Sequence, residues 1–309
     1  MAAGPAQGSV VTQVPSHPAL DATLTSSTIP SGISRTSRTS DRGAFAPHEW
    51  WTPHRGVRLP LDVTDHVARI EAALVVAPPS AVVSGASAAI LWEAPVPWRL
   101  AEGDVEITLP PGGFHVDRPG VRCCRRDLHR DHVTRLQGWP VTSPARLMLD
   151  LGMQLTVGEL VAVGDDLLRR GLVTQELLQH WAHRVRRRRG ILAVRDAVEH
   201  LDPRSESPRE SIMRYLLRKA GYTRLQPNID ILRLDGSFVA RGDLVDAEMK
   251  IVVEYDGAHH LSPETQRRDA ARRLDLATEG WLEVTVVSQD LYPPYLVISK
   301  VARAYAARR

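Results

Sequence analysis

From about Asp62 onward the apolar residues fall into runs with clear helical or strand spacing, and before that point they do not. DHVARIEAALVVA (65–77) and SGASAAILW (84–92) read as helices. DVEITLP (104–110) and GVRCCRRD (120–127) read as strands. In VTSPARLMLDLG, Ser143 can cap a helix whose first position is Pro144, and VGELVAVGDDLLRRG and TQELLQHWAHRV continue as helices. The expectation is an α+β unit over 61–185, followed by a basic linker or helix over 186–205.

The last hundred residues carry the sharpest pattern. SPRE opens a helix with Ser207 as cap, Pro208 at the first position and Glu210 three after the cap. Ile212, Met213, Leu216, Leu217 and Ala220 would form its buried stripe, and Gly221 would end it. Strands follow at LQPNIDIL, SFVARGDLV and KIVVEYD, then a helix from Ser262 and Pro263 to Gly280, a strand at WLEVTVVS and a helix at YLVISKVARAY. The order is αβββαβ over 206–309.

The third of those strands ends in VVEYDGAHH, where Glu254 and Asp256 share one face and Val253 and Tyr255 the other. Two carboxylates on one face repel each other, so a basic side chain, solvent or a bound cation must answer them. A hairpin with its midpoint between Glu248 and Met249 would also set Asp243 opposite Glu254.

Residues 1–60 hold 14 Ser or Thr among the first 50 and little periodicity. They read either as a solvated tail or as a worn helix-turn-helix and wing, IPSGISRTSRTSDRG followed by HEWWTPHRGVRLP, with Arg35 and Arg38 on the reading helix.

Composition narrows the partners. Of 39 basic residues 36 are arginine, and the net charge is +3. Arginine suits phosphate recognition, and a GC-rich coding bias would produce the same count. The run HRVRRRRG (183–190) lies in a stretch, 181–220, with eleven basic residues against five acidic. It is the footprint of a polyanion partner or the solvated end of a helix. The only cysteines, Cys123 and Cys124, are neighbours, too close for an unstrained bridge, which points to free thiols in a reducing cytoplasm. The uncharged stretch 72–92 contains Pro78, Pro79 and Gly85, which argues against a membrane span. His115, His129 and His132 are too scattered for ligands.

SPRE, RGDLVD, VVEYDGAHH, RRDAARR and GWLEVTVVS, in that order, resemble the very-short-patch-repair-endonuclease-like branch of the PD-(D/E)XK nucleases. AVVSGASAAILWEAP and VTSPARLMLDL are similar to abortive-infection type IV antitoxins. The first resemblance implies a restriction-endonuclease-like α/β domain, a mixed sheet flanked by helices, that hydrolyses DNA phosphodiesters. Asp243, Glu254 and Asp256 would bind Mg²⁺ or Mn²⁺, with Glu210 completing the acidic cluster, His260 or His259 as acid or base, and Arg267, Arg268 and Arg272 on the phosphate. For Glu210 a purely structural capping role fits as well, and for the histidines a solvated loop. Asp269 is spaced to pair with Arg272 and Arg273. Nucleases of this fold usually carry lysine two residues after the glutamate; here Asp256 stands there, and Lys250, on the face of Glu254, lies about 13 Å back along the strand. The implied partners are DNA and, through the antitoxin-like region, a toxin or other defence protein; a homodimer is compatible with both. The alternatives are an antitoxin-type DNA-binding regulator with an inactive nuclease fold, and an interaction module whose acidic pocket serves another purpose.

Overall fold

The computed structural model describes residues 34–35, 50–112, 116–257 and 263–309. Over these residues the chain is a mixed α/β protein with three sheets flanked by helices. Its first described elements are three strands, β1 (Ser34–Arg35), β2 (Trp50–His54) and β3 (Val57–Pro60), in the order β1-β3-β2. Helix α1 (His66–Val76), capped by Asp65 accepting from the Ala68 N–H at 2.9 Å, closes them over a small core of Val57, Leu59, Ala68 and Ala72. Arg35 therefore lies on a strand and not on a reading helix: its short segment pairs with Val57 and Arg58 of β3. Arg38 lies outside the described residues.

The middle unit has five strands in the order β6-β5-β4-β8-β7, namely β4 (Val82–Val83), β5 (Val105–Leu109), β6 (Val121–Arg125), β7 (Val133–Leu136) and β8 (Trp139–Thr142). Around them lie α2 (Gly85–Leu91), α3 (Trp98–Ala101), α4 (Pro144–Leu151), α5 (Val157–Arg169) and α6 (Gln175–Arg184). Ser143 caps α4 and Pro144 opens it, as the sequence predicts. Residues 186–205 are more than a linker: α7 (Ile191–Glu199) buries Ile191, Val194, Ala197 and Val198 in the same core as α5 and α6.

The C-terminal unit follows as α8 (Pro208–Lys219), β9 (Gln226–Leu232), β10 (Phe238–Asp246), β11 (Ile251–Asp256), α9 (Pro263–Thr278), β12 (Leu282–Val287), α10 (Ser288–Leu291) and α11 (Tyr295–Ala306). The sheet order is β12-β11-β10-β9, antiparallel except for the parallel pair β11–β12. Ile251, Val252 and Val253 are all buried, because β11 is covered on both faces. Ile251 and Val253 meet α8 and α11 through Ile212, Met213, Leu217, Val297 and Val301. Val252 and Val245 meet Leu276 of α9. In the stripe of α8 Ile212, Met213 and Leu217 are buried as expected, while Leu216 is half-buried and Ala220 exposed.

The middle and C-terminal units share an interface between α5 and α8. Ala162 of α5 belongs to the C-terminal core and Tyr215 of α8 to the middle one. Within that interface Asp165 receives Arg214 Nη2 at 2.6 Å, Ser211 Oγ at 2.6 Å and the Asp202 N–H at 2.7 Å. Arg214 spends its other donors on Ser205 Oγ and the His200 carbonyl, so both buried charges are answered.

Candidate functional site: an acidic cluster on the C-terminal sheet

The β10–β11 hairpin pairs Leu244 with Val253, Val245 with Val252 and Asp246 with Ile251. That is the register the sequence expectation required, and its next step sets Asp243 against Glu254. Glu254 projects toward α9, where it meets Arg272, and Asp243 on the neighbouring strand stands close enough to push on its carboxylate. Gly242 is needed beside them: a Cβ there would come within 2.5 Å of the Val245 side chain and 2.6 Å of the Val252 side chain, so a larger residue would have to displace both.

Each carboxylate has a partner. Asp243 Oδ2 accepts from the Tyr255 N–H at 2.7 Å, and Glu254 Oε1 is paired with the guanidinium of Arg272, which also donates to the Arg241 carbonyl at 3.2 Å. The cation that answers Glu254 is thus Arg272 from α9, itself one of the three arginines expected on phosphate. Burial pushes the Asp243 carboxyl up to about 6, with Glu210 and Glu206 pushing the same way while the Tyr255 N–H and Arg272 pull it down. Burial, then Asp243, pushes Glu254 up to about 8 against the pull of Arg272. Both sites therefore hold protons more tightly than free carboxyls, and the part of each shift that comes from neighbouring acids is what a nearby cation would relieve.

Glu210 comes in from α8. Its N–H is capped by Ser207 at 3.2 Å, but its carboxylate does not return to the cap. Glu210 Oε2 instead takes the Glu206 N–H at 2.9 Å and Asn228 Nδ2 at 3.0 Å. The expected capping box is therefore half present, and the freed carboxylate bears electrostatically on Asp243. Asn228 is a site residue that periodicity misses. It sits on β9 with φ of 51°, a left-handed conformation that asparagine tolerates better than most residues, and from there it also donates to the Arg204 carbonyl at 2.6 Å.

The remaining expectations divide. Asp256 is exposed at the end of β11, and among the described residues no group of three or more His, Cys, Asp or Glu is placed to hold a metal ion. The expected three-carboxylate set Asp243, Glu254 and Asp256 is thereby corrected: Asp256, the last residue of β11, is exposed and joins no such group. Arg267 and Arg268 are exposed on the first turns of α9. Arg272 and Arg273 reach Glu254 and Glu283 on the sheet, where pairing with Asp269 was expected. His259, His260 and Ser262 lie outside the described residues. Lys250, in the hairpin turn with φ of 47°, donates to the Glu279 carbonyl at 2.9 Å and so does not stand in for the missing lysine. Asp246, in the RGDLVD motif, is structural: it accepts from Arg224, Tyr305 and the Met249 N–H.

No family model matches the chain. It is 28% identical over 198 residues, 62% of its length and 73% of theirs, to Uncharacterized protein MT2308 and Uncharacterized protein Rv2248, from two strains of Mycobacterium tuberculosis. Among solved structures it is similar to the RV2827C protein from Mycobacterium tuberculosis, with a TM-score of 0.36 and 15% identity over 60% of this chain and 73% of that one. That likeness is too loose to carry an argument about fold or function. Among the described residues no helix is long and apolar enough to cross a membrane.

Proposed function

We propose that the C-terminal unit is a restriction-endonuclease-like domain that hydrolyses DNA phosphodiesters with the aid of Mg²⁺ or Mn²⁺. The observation that carries this reading is the opposition of Asp243 and Glu254 across β10–β11, both with raised proton affinity, inside the αβββαβ order. Magnesium is commonly held by one or two carboxylates, with water and substrate phosphate completing its shell. The pair fits that requirement, and Asp243 and Glu254 would hold the ion. Once bound, the ion would polarise the phosphate and lower the pKa of an attacking water.

The protein's own groups would do the rest. Arg272, half-buried beside Glu254, would be freed to face the phosphate when another cation takes over that carboxylate. Arg267 and Arg268, exposed on the same helix, would hold the flanking backbone. Glu210, fixed by Asn228 and the Glu206 N–H, adds negative potential that favours a cation at Asp243.

Two observations favour a second reading, a DNA-binding regulator without cleavage: the ion pair with Arg272 already answers Glu254, and Lys250 is held away on Glu279. The experiment that separates the two is cleavage of supercoiled plasmid in Mg²⁺ or Mn²⁺ by the wild type, Asp243→Ala and Glu254→Ala. Metal-dependent nicking lost in both variants is the expected result. Salt-sensitive DNA binding with no cleavage under either metal would select the regulator.

A further inference from the structure

The arginine run 183–190 forms part of a built cavity in the middle unit, remote in sequence from the acidic cluster. The cavity, of about 310 Å³, is lined by Arg122 and Arg126 from β6 and its exit, by Arg187, Arg188 and Arg189 from the loop between α6 and α7, and by Asp150 of α4. Asp150 Oδ1 receives Arg188 Nη2 at 2.7 Å, Arg126 Nη1 at 2.9 Å and Arg146 Nε at 3.0 Å. One carboxylate shared by three guanidinium groups leaves most of the positive charge unanswered. Arg122 adds a fourth, paired only loosely with Glu106 at 3.3 Å. Burial and the neighbouring Arg146 and Arg126 pull the Arg188 guanidinium below its ordinary value, against Asp150.

The backbone holds the loop in this unfavourable arrangement. Arg187 is left-handed at φ of 55°, a strained conformation for a long side chain. Gly190, also left-handed, packs so closely on α4 that a Cβ would fall 2.4 Å from the Gly152 carbonyl oxygen. Arg195 anchors the segment before the loop by donating to the Ala182 and Val185 carbonyls at 2.9 and 3.0 Å. Arginines at a solvated helix end would splay apart from one another. Here three segments spend strain and close backbone packing to bring them together.

We infer that this cavity binds a phosphoryl group. Planar guanidinium forks arriving from two sides match the oxygens of a phosphate, and the excess positive charge selects an anion. The source is either a nucleic-acid backbone or a small phosphate, and the two have different signatures. The inference does not depend on the acidic cluster: cleavage could fail while phosphate binding remained.

The test uses the full chain at low salt, with binding of a labelled DNA duplex read by fluorescence anisotropy and of inorganic phosphate and pyrophosphate by calorimetry. The variant is Arg122→Gln/Arg187→Gln, both of which are exposed and so removable without unfolding, and melting curves check that point. Arg303→Gln, exposed on α11, is the control. If the source is nucleic acid, the double variant binds duplex about tenfold more weakly, with a salt slope reduced by about two, while the control is unchanged. If the source is a small phosphate, the variant loses inorganic phosphate or pyrophosphate and keeps the duplex. Equal binding of every probe by variant and wild type, or no binding of any of them by the wild type, overturns the inference.

Discussion

Two arginine–carboxylate pairs in this protein have nearly the same chemistry and opposite surroundings. Asp165 and Arg214 join α5 to α8, each with its side chain 1% exposed, and every strong donor and acceptor around them is matched. Glu254 and Arg272 join β11 to α9 with 15% and 30% of their side chains exposed, and Glu254 faces a second acid, Asp243. Burial pushes both acids up, yet Asp165 reaches about 6 and Glu254 about 8. The difference lies in the neighbours: Asp165 has Arg214, Ser211 and the Asp202 N–H pulling it down, while Glu254 has Asp243 and Glu283 pushing it further up. One pair is finished as structure. The other is left short of positive charge, as a site that takes a cation would be.

The largest effect that would sharpen this contrast is at the finished pair. Asp165→Ala should destabilise the chain by about 3–5 kcal/mol in urea unfolding, because it strands Arg214 in the interior. A paired apolar replacement, Asp165→Leu with Arg214→Met, should recover much of that loss. A cost under about 1 kcal/mol for the single variant would put the two pairs in the same class.

Next comes the pH response of the cluster. Glu254 and Asp243 have folded values raised above their unfolded ones, so the native state binds more protons and stability declines as pH rises from about 4 to about 8. Asp165 adds to the same decline, and Glu254→Gln removes its largest single part. It should raise stability at pH 8–9 by on the order of 2–4 kcal/mol relative to wild type, and much less near pH 4. Melting temperatures across that range provide the check; parallel curves for the two proteins would contradict the assignment.

Smaller effects follow. Arg272→Ala leaves Glu254 facing Asp243 with no guanidinium, and should cost about 1–2 kcal/mol at pH 8, fading as Glu254 protonates at lower pH. Ser207→Ala removes the α8 cap and should cost about 1 kcal/mol at every pH. Lys250→Ala should change stability by about 0.5 kcal/mol or less and leave any cleavage rate intact, since its ammonium is committed to the Glu279 carbonyl. A large loss of cleavage with Lys250→Ala would mean that this lysine acts at the phosphate after all.

Much of the C-terminal unit was legible in the chain because its signals are local. The Ser207 cap, the three-strand meander and the hairpin register all follow from spacing over a few residues, and the register alone brings Asp243 and Glu254 together. What spacing could not show is pairing across long separations. Arg272 looked like a phosphate contact or a partner for Asp269, and only the docking of α9 on the sheet sends it to Glu254. Asn228 looked like an ordinary strand residue, and its left-handed turn toward Glu210 has no periodic signature. The Asp165–Arg214 pair joins positions in helices that read as separate units, so the polar residues that bind the two units together were hidden inside apolar patterns. The arginine loop misled in the opposite direction: a run of like charges reads as a solvated surface, and the Gly152–Gly190 contact that folds it inward is visible only in three dimensions.

The central claim, that the acidic pair of β10 and β11 takes a divalent cation while the buried pair of α5 and α8 does not, is tested most directly by thermal unfolding at pH 8 with and without millimolar Mg²⁺. The account predicts that Mg²⁺ raises the melting temperature of the wild type, by an amount growing with the logarithm of its concentration, and that Asp243→Asn and Glu254→Gln abolish the rise while Ser207→Ala keeps it. The same Mg²⁺ response in all four proteins, or none in the wild type, would contradict it.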